Sequence, residues 1–237
     1  MTGALFSYAL LAALATALLT AALTDLRRRE IKNWLNAAIA VAAPLWWLAM
    51  GFAPMEIGFQ LALAAGTFVV ACLLFAAGQM GGGDVKLLTA LALWFTPASF
   101  LQLVMLMAIL GGGASLAMAA CNMKRVPGET GRDALAGLVA FGWVWCAGAV
   151  VLSVAMHRPI VDPGTARALL AAMPGAWAVV LAILAVLAVF LIGFRHIMRR
   201  QKTRIEVPYG IAIAAASLWV MGTHTLVAAG SAAHLAA

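Results

Sequence analysis

Apolar stretches close to twenty residues long recur from one end of the chain to the other, and no other feature limits the fold as much. They lie at about 4–24, 34–53, 57–77, 85–96, 98–120, 134–156, 176–194 and 207–229. A bilayer core about 30 Å thick is crossed by a helix of roughly 20 apolar residues, whose backbone polar groups are satisfied within the helix itself. A mean hydropathy of +1.04, with 65% of residues hydrophobic and 10% charged, rules out a soluble domain of this length. The expected fold is all-α: a polytopic transmembrane helical bundle of about eight helices, forming one membrane domain over residues 1–237. The first run lacks a basic flank and exceeds the roughly 7–15 apolar residues of a signal peptide, so it is expected to be a retained anchor.

Charge sets the expected orientation. With the N-terminus outside and all eight segments crossing, the cytoplasmic loops hold Arg27, Arg28, Arg29, Lys32, Lys86, Lys124, Arg125, Arg132, Arg195, Arg199, Arg200, Lys202 and Arg204, leaving Arg158 and Arg167 outside. This is the positive-inside pattern. The fourth segment, about a dozen residues, is short for a crossing, but turning it back would place the two later basic loops on the wrong side. The net charge of +7 then reflects topology and attraction to anionic lipid, and calls for no nucleic acid partner. Cys72, Cys121 and Cys146 lie in or beside apolar runs without a CxxC pair, so packing is their expected role and no metal or other cofactor is indicated.

Among eight acidic residues, Asp25 and Asp84 stand apart. Glu30 sits among arginines, Glu56 in a short turn, Glu129, Asp133 and Asp162 in polar loops, and Glu206 at a helix entry. Asp25 closes the first apolar run and Asp84 opens the fourth, so apolar sequence abuts both, and a carboxylate at a membrane edge is costly enough to suggest function. Capping of the helix that begins at Val85 is the simpler account of Asp84. Gly81, Gly82 and Gly83 precede it, and three glycines in a row point to a close backbone approach or a conformation other residues resist. Gly111, Gly112 and Gly113 suit helix packing. Two carboxylates a few ångströms apart cannot both ionise easily; they share a proton, leaving one as base and one as acid.

The stretches TDLRRREIKNWLN (24–36), GGGDVKLLTALALW (81–94) and VPYGIAIAA (207–215) resemble the prepilin peptidases of type IV pilus systems, intramembrane aspartic peptidases of the GxGD class, and most of all the short form associated with Flp, or tight-adherence, pili. The resemblance implies a catalytic pair formed by Asp25, within a motif carrying Arg27, Ile31 and Asn33, and Asp84, within a motif carrying Gly81, Gly83 and Lys86. It further implies that Tyr209 and Gly210 help to shape the cleft, with Pro208 beside them as a supporting residue whose type suits the first turn of a helix. The implied substrate is a prepilin with a short basic leader, cut after a glycine at the cytoplasmic face of the bacterial inner membrane. It also implies a six-helix frame, to which about 134–194 adds a helix pair. Lys32 stands where the family usually has proline, and the cysteine-rich zinc loop of the larger, methylating members is missing. Lys86 lies about 200° round a helix from Asp84, facing headgroups. A transporter or a non-catalytic pilus-assembly subunit is the alternative reading. No charge falls mid-helix and no repeat is evident, as a transporter would favour, and neither HExxH nor GxSxG occurs.

Overall fold

The computed structural model describes residues 2–156, 159–203 and 207–236, so the expectations placed on Arg158, Arg204 and Glu206 lie outside the described residues. Helices account for all the regular secondary structure described: α1 (Thr2–Arg28), α2 (Asn33–Met50), α3 (Pro54–Ala76), α4 (Gly82–Ala92), α5 (Pro97–Cys121), α6 (Thr130–Met156), α7 (Pro163–Ala171), α8 (Ala176–Arg199) and α9 (Tyr209–Ala236). Each of the eight apolar runs is one of these helices. The addition is α7, nine residues long, which starts where the Asp162 carboxylate accepts the Gly164 and Thr165 N–H groups ahead of a first-turn proline. A search for apolar runs passes over so short and polar a helix. Among the described residues, α1, α3, α5, α6 and α8 are long and apolar enough to cross a membrane.

By packing, the chain divides into two compact units, residues 1–108 with 208–237, and residues 109–207. The second therefore takes in the end of α5 and its following loop as well as the segment at 134–194 that the sequence marks as additional.

In the first unit α1 packs on α2 and α9, and α4 packs on α2, α3 and α9. Seven of the eleven residues of α4 are buried, as suits a helix apolar on most of its circumference. At 1.5 Å per residue α4 is roughly 16 Å long, and its last carbonyls have no helical partners. Side chains from neighbouring helices supply them. Trp47 Nε1 donates to Leu93 O at 2.8 Å, and Gln60, only 2% exposed, donates through Nε2 to Ala92 O and Phe95 O. Without those donors the carbonyls would be buried unpaired in an apolar environment, a cost of several kcal/mol each by the roughly 2–7 kcal/mol range for such groups. The bonds from Asn36 to Gly83 and from Trp47 to Leu93 show that α2 and α4 run in the same direction. Trp46 stacks on Trp94 at 5.9 Å. The turn after α4 thus lies at the end of the unit opposite Asp84.

In the second unit α6 packs on α8. The approach is closest at Gly193, where an added Cβ would sit 2.6 Å from Val139 Cγ2. Polar bonds tie the helix ends together: Asp133 with His196 at 2.8 Å, Glu129 with Arg200 at 2.8 Å, and Asn122 Nδ2 donating to Gln201 Oε1 at 3.0 Å.

Candidate active site

The α1 helix ends beyond Asp25. Arg29 adopts φ 56° and donates its N–H to Asp25 O at 2.9 Å, a left-handed cap that turns the chain back over the helix end. The Asp25 side chain is 7% exposed, and its Oδ2 accepts the Gly210 N–H at 2.9 Å from the first turn of α9. Backbone N–H groups at a helix start are unsatisfied by the helix itself and carry its positive pole, so this geometry suits a carboxylate. A Cβ at Gly210 would force its neighbours to shift: it would lie 2.8 Å from Asp25 Oδ2 and 3.0 Å from Ile31 Cδ1. Gly210 is glycine because Asp25 sits against its backbone.

Asp84 occupies the first turn of α4, 8% exposed, and its Oδ2 reaches back to the Gly81 N–H at 3.3 Å. The simple capping account is therefore corrected in its geometry, since α4 begins at Gly82 rather than Val85 and Asp84 bonds back to the Gly81 N–H from the third helical position. It is also incomplete, because burial and the nearby Asp25 charge push the Asp84 carboxyl up to about 6. The three glycines divide by role, and none of them has a positive φ. An added Cβ at Gly81 would meet Asp84 Oδ2 at 3.0 Å, and one at Gly83 would meet Ile31 Cβ at 3.2 Å and Ile31 N at 3.5 Å. At Gly82 it would make only an ordinary contact with Phe75, at 3.5 Å. Close approach, not a left-handed backbone, explains the first and third glycines. Ile31 is the shared neighbour, packed against Gly83 on α4 and Gly210 on α9.

Asn33 and Lys86 meet: Lys86 Nζ donates to Asn33 Oδ1 at 2.7 Å, joining the first residue of α2 to the fifth of α4. Lys86 is turned away from the buried Asp84, as its spacing requires, but an asparagine rather than a lipid headgroup receives it. Arg27 is not drawn toward the aspartates; it is exposed and lines an outer cleft with Arg28 and Lys32. Pro208 and Tyr209 are half-buried at the entry to α9, where they set the position of Gly210.

Sequence reasoning passed over Asn36, 4% exposed, whose Nδ2 donates to Gly83 O at 3.3 Å. Its signal was an amide inside an apolar run, one helical turn after Asn33 and so on the same face. Among the described residues, no group of three or more His, Cys, Asp or Glu is arranged to hold a metal ion.

No curated protein and no solved structure matches the chain. Residues 12–116 match the type IV leader peptidase family model, and the matched stretch carries Asp25, the glycine turn and Asp84.

Proposed function

We propose that the protein is an aspartic prepilin peptidase that removes the basic leader of Flp-like type IV prepilins, cutting after the leader glycine at the cytoplasmic face of the bacterial inner membrane. One observation carries this reading: two buried carboxylates from separate helices, each bound by a backbone N–H at a helix start, lie near enough for the charge of Asp25 to raise the proton affinity of Asp84. Such a pair holds one proton between two carboxyls. The ionised carboxylate takes a proton from water as the water oxygen bonds to the glycine carbonyl carbon. The protonated carboxyl donates to the carbonyl oxygen, stabilising the tetrahedral intermediate. The C–N bond then breaks, the carbonyl re-forms as its O–H proton returns to the carboxylate that supplied it, and the leaving nitrogen takes up the proton first removed from water.

Gly210 and Gly81 act as positioning residues, each fixing one carboxylate oxygen through its N–H. The bond between Lys86 and Asn33 and that between Asn36 and Gly83 hold the first turn of α4, and with it Asp84, against α2. No step calls for a cofactor.

Co-expression with an Flp-like prepilin tests the proposal through the mobility shift that accompanies leader removal. Wild type is expected to give the shift. Asp25→Asn and Asp84→Asn are each expected to lower cleavage by about 10³-fold or more while remaining in the membrane, since each proton transfer contributes roughly 10²–10⁴. Substantial cleavage by either variant would end the two-aspartate reading.

A further inference from the structure

At the C-terminal end of α1 lies a cleft of about 210 Å³ lined by Leu23, Thr24, Arg27, Arg28 and Lys32. The left-handed turn at Arg29 brings Lys32 back beside the two arginines of the last helical turn. Among the described residues, no carboxylate forms a salt bridge with any of the three cations. The nearby acids are otherwise placed: Asp25 is buried and bound to the Gly210 N–H, and the exposed Glu30 does not line the cleft. The negative pole of α1 accounts for basic residues in its last turn, but it amounts to about half an elementary charge, against three full charges around one cavity.

We infer that this cleft binds a phosphate group and that its natural source is the headgroup of an anionic phospholipid. Guanidinium groups match phosphate through paired N–H donors, and the lysine adds a point charge. The depth is right, because the apolar span of α1 ends at Arg28. Leu23 and Leu26, 53% and 57% exposed, offer apolar surface beside the cleft for the attached chains. On the peptidase reading proposed above, the site has a consequence for substrate entry: three unpaired cations repel a basic leader, and a bound phosphate removes that repulsion.

Native mass spectrometry of the purified full-length protein, offered equal phosphatidylglycerol and phosphatidylcholine, tests the site without reference to cleavage. Wild type is expected to retain phosphatidylglycerol by tenfold or more over phosphatidylcholine. The double variant Arg28→Gln/Lys32→Gln should fall to within about twofold of parity, whereas Lys124→Gln/Lys202→Gln, which removes two charges from the second unit, should keep the preference. Lys32→Pro is a milder check, because Lys32 already has φ −65°, the value proline imposes, so a cation is lost without backbone strain; the preference should drop at least threefold. Millimolar inorganic phosphate separates the sources: displacement of the lipid means that the phosphate alone is read, and retention means that the lipid is the ligand. No preference in wild type, or full preference in the double variant, overturns the site and leaves the peptidase reading standing.

Discussion

Gly81 to Gly83 and Gly111 to Gly113 are the same string of residues, one opening the short helix α4 in the first unit and the other lying within α5 in the second. An added Cβ would sit 3.8 Å from Trp143 at Gly112 and 3.6 Å from Ala147 at Gly113, which is ordinary van der Waals contact. At Gly81 it would press on the Asp84 carboxylate and at Gly83 on the Cβ of Ile31. The second unit has its own forbidding glycine, Gly193, but what it presses against is the side chain of Val139. In one unit glycine makes room for two carboxylates and for the isoleucine between their helices, and in the other it makes room for a helix. The glycine string alone does not separate these uses; the acid that follows the first triplet does.

The sharpest way to break this contrast is at the glycines that touch carboxylate oxygens. In Gly210→Ala the new methyl meets Asp25 Oδ2 and Cγ, the far end of a side chain. The fold can yield there, so the protein should stay folded while the carboxylate moves. Gly81→Ala does the same to Asp84. Misplacement of a reacting group by about 1 Å can cost roughly 10²-fold in rate, and both variants should lose prepilin cleavage by about that factor with normal membrane levels. In Gly83→Ala the obstacle is the backbone-proximal part of Ile31, which yields less readily, so stability should fall as well, by about 1–3 kcal/mol. Cleavage assays paired with thermal unfolding in detergent separate the two behaviours. A fully active Gly210→Ala would detach Gly210 from the catalytic geometry.

The interaction between the two aspartates gives a smaller effect with a definite sign. Asp84 is raised to about 6 first by burial and second by the Asp25 charge. Removing that charge in Asp25→Asn leaves the burial, so the Asp84 value should fall below 6 yet stay above the ordinary 3.8. Carboxyl ¹³C chemical shifts of labelled protein in micelles, followed through a pH titration, measure it. In wild type the group is protonated below its value and ionised above it, so the one-proton pair is lost as pH rises through about 6, and cleavage should decline over that range. An Asp84 value unchanged in Asp25→Asn would mean that the two carboxyls do not sense each other.

The helices and the two acids were legible because each leaves a local mark. An apolar run must be helical in lipid, and a carboxylate abutting such a run is costly wherever it points. The site's supports were harder to see, since each depends on a partner distant in sequence. Lys86 alone reads as a residue facing headgroups; its acceptor, Asn33, lies 53 positions away. Gln60 and Trp47 look like incidental polar atoms in apolar helices until α4 is seen to end among them. Ile31 is one apolar residue among many, and only the folded chain reveals two glycines shaped around it. The motif D-x-R-x-x-x-I-x-N thereby acquires physical content at its isoleucine and asparagine, while its arginine faces the outer cleft.

The smallest expected effect is the one that most sharpens the comparison. Gly82 stands between the two crowded glycines and two residues before the buried Asp84, so the sequence alone makes it look as sensitive as its neighbours. Its surroundings say otherwise. The nearest atoms to an added Cβ are Phe75 Cε2 at 3.5 Å and Cζ at 3.9 Å, a contact that a methyl group makes without displacing anything. The backbone does not require glycine, because Gly82 is not among the residues with positive φ. Alanine also loses less conformational entropy on folding than glycine, a gain of up to about 1 kcal/mol within a helix and less at the first helical position. Gly82→Ala should therefore keep cleavage within about twofold of wild type and unfold at the same temperature or slightly higher. A loss comparable to that of Gly81→Ala would mean that the turn must flex through left-handed or extended states during turnover, and that the triplet is there for motion as well as for room.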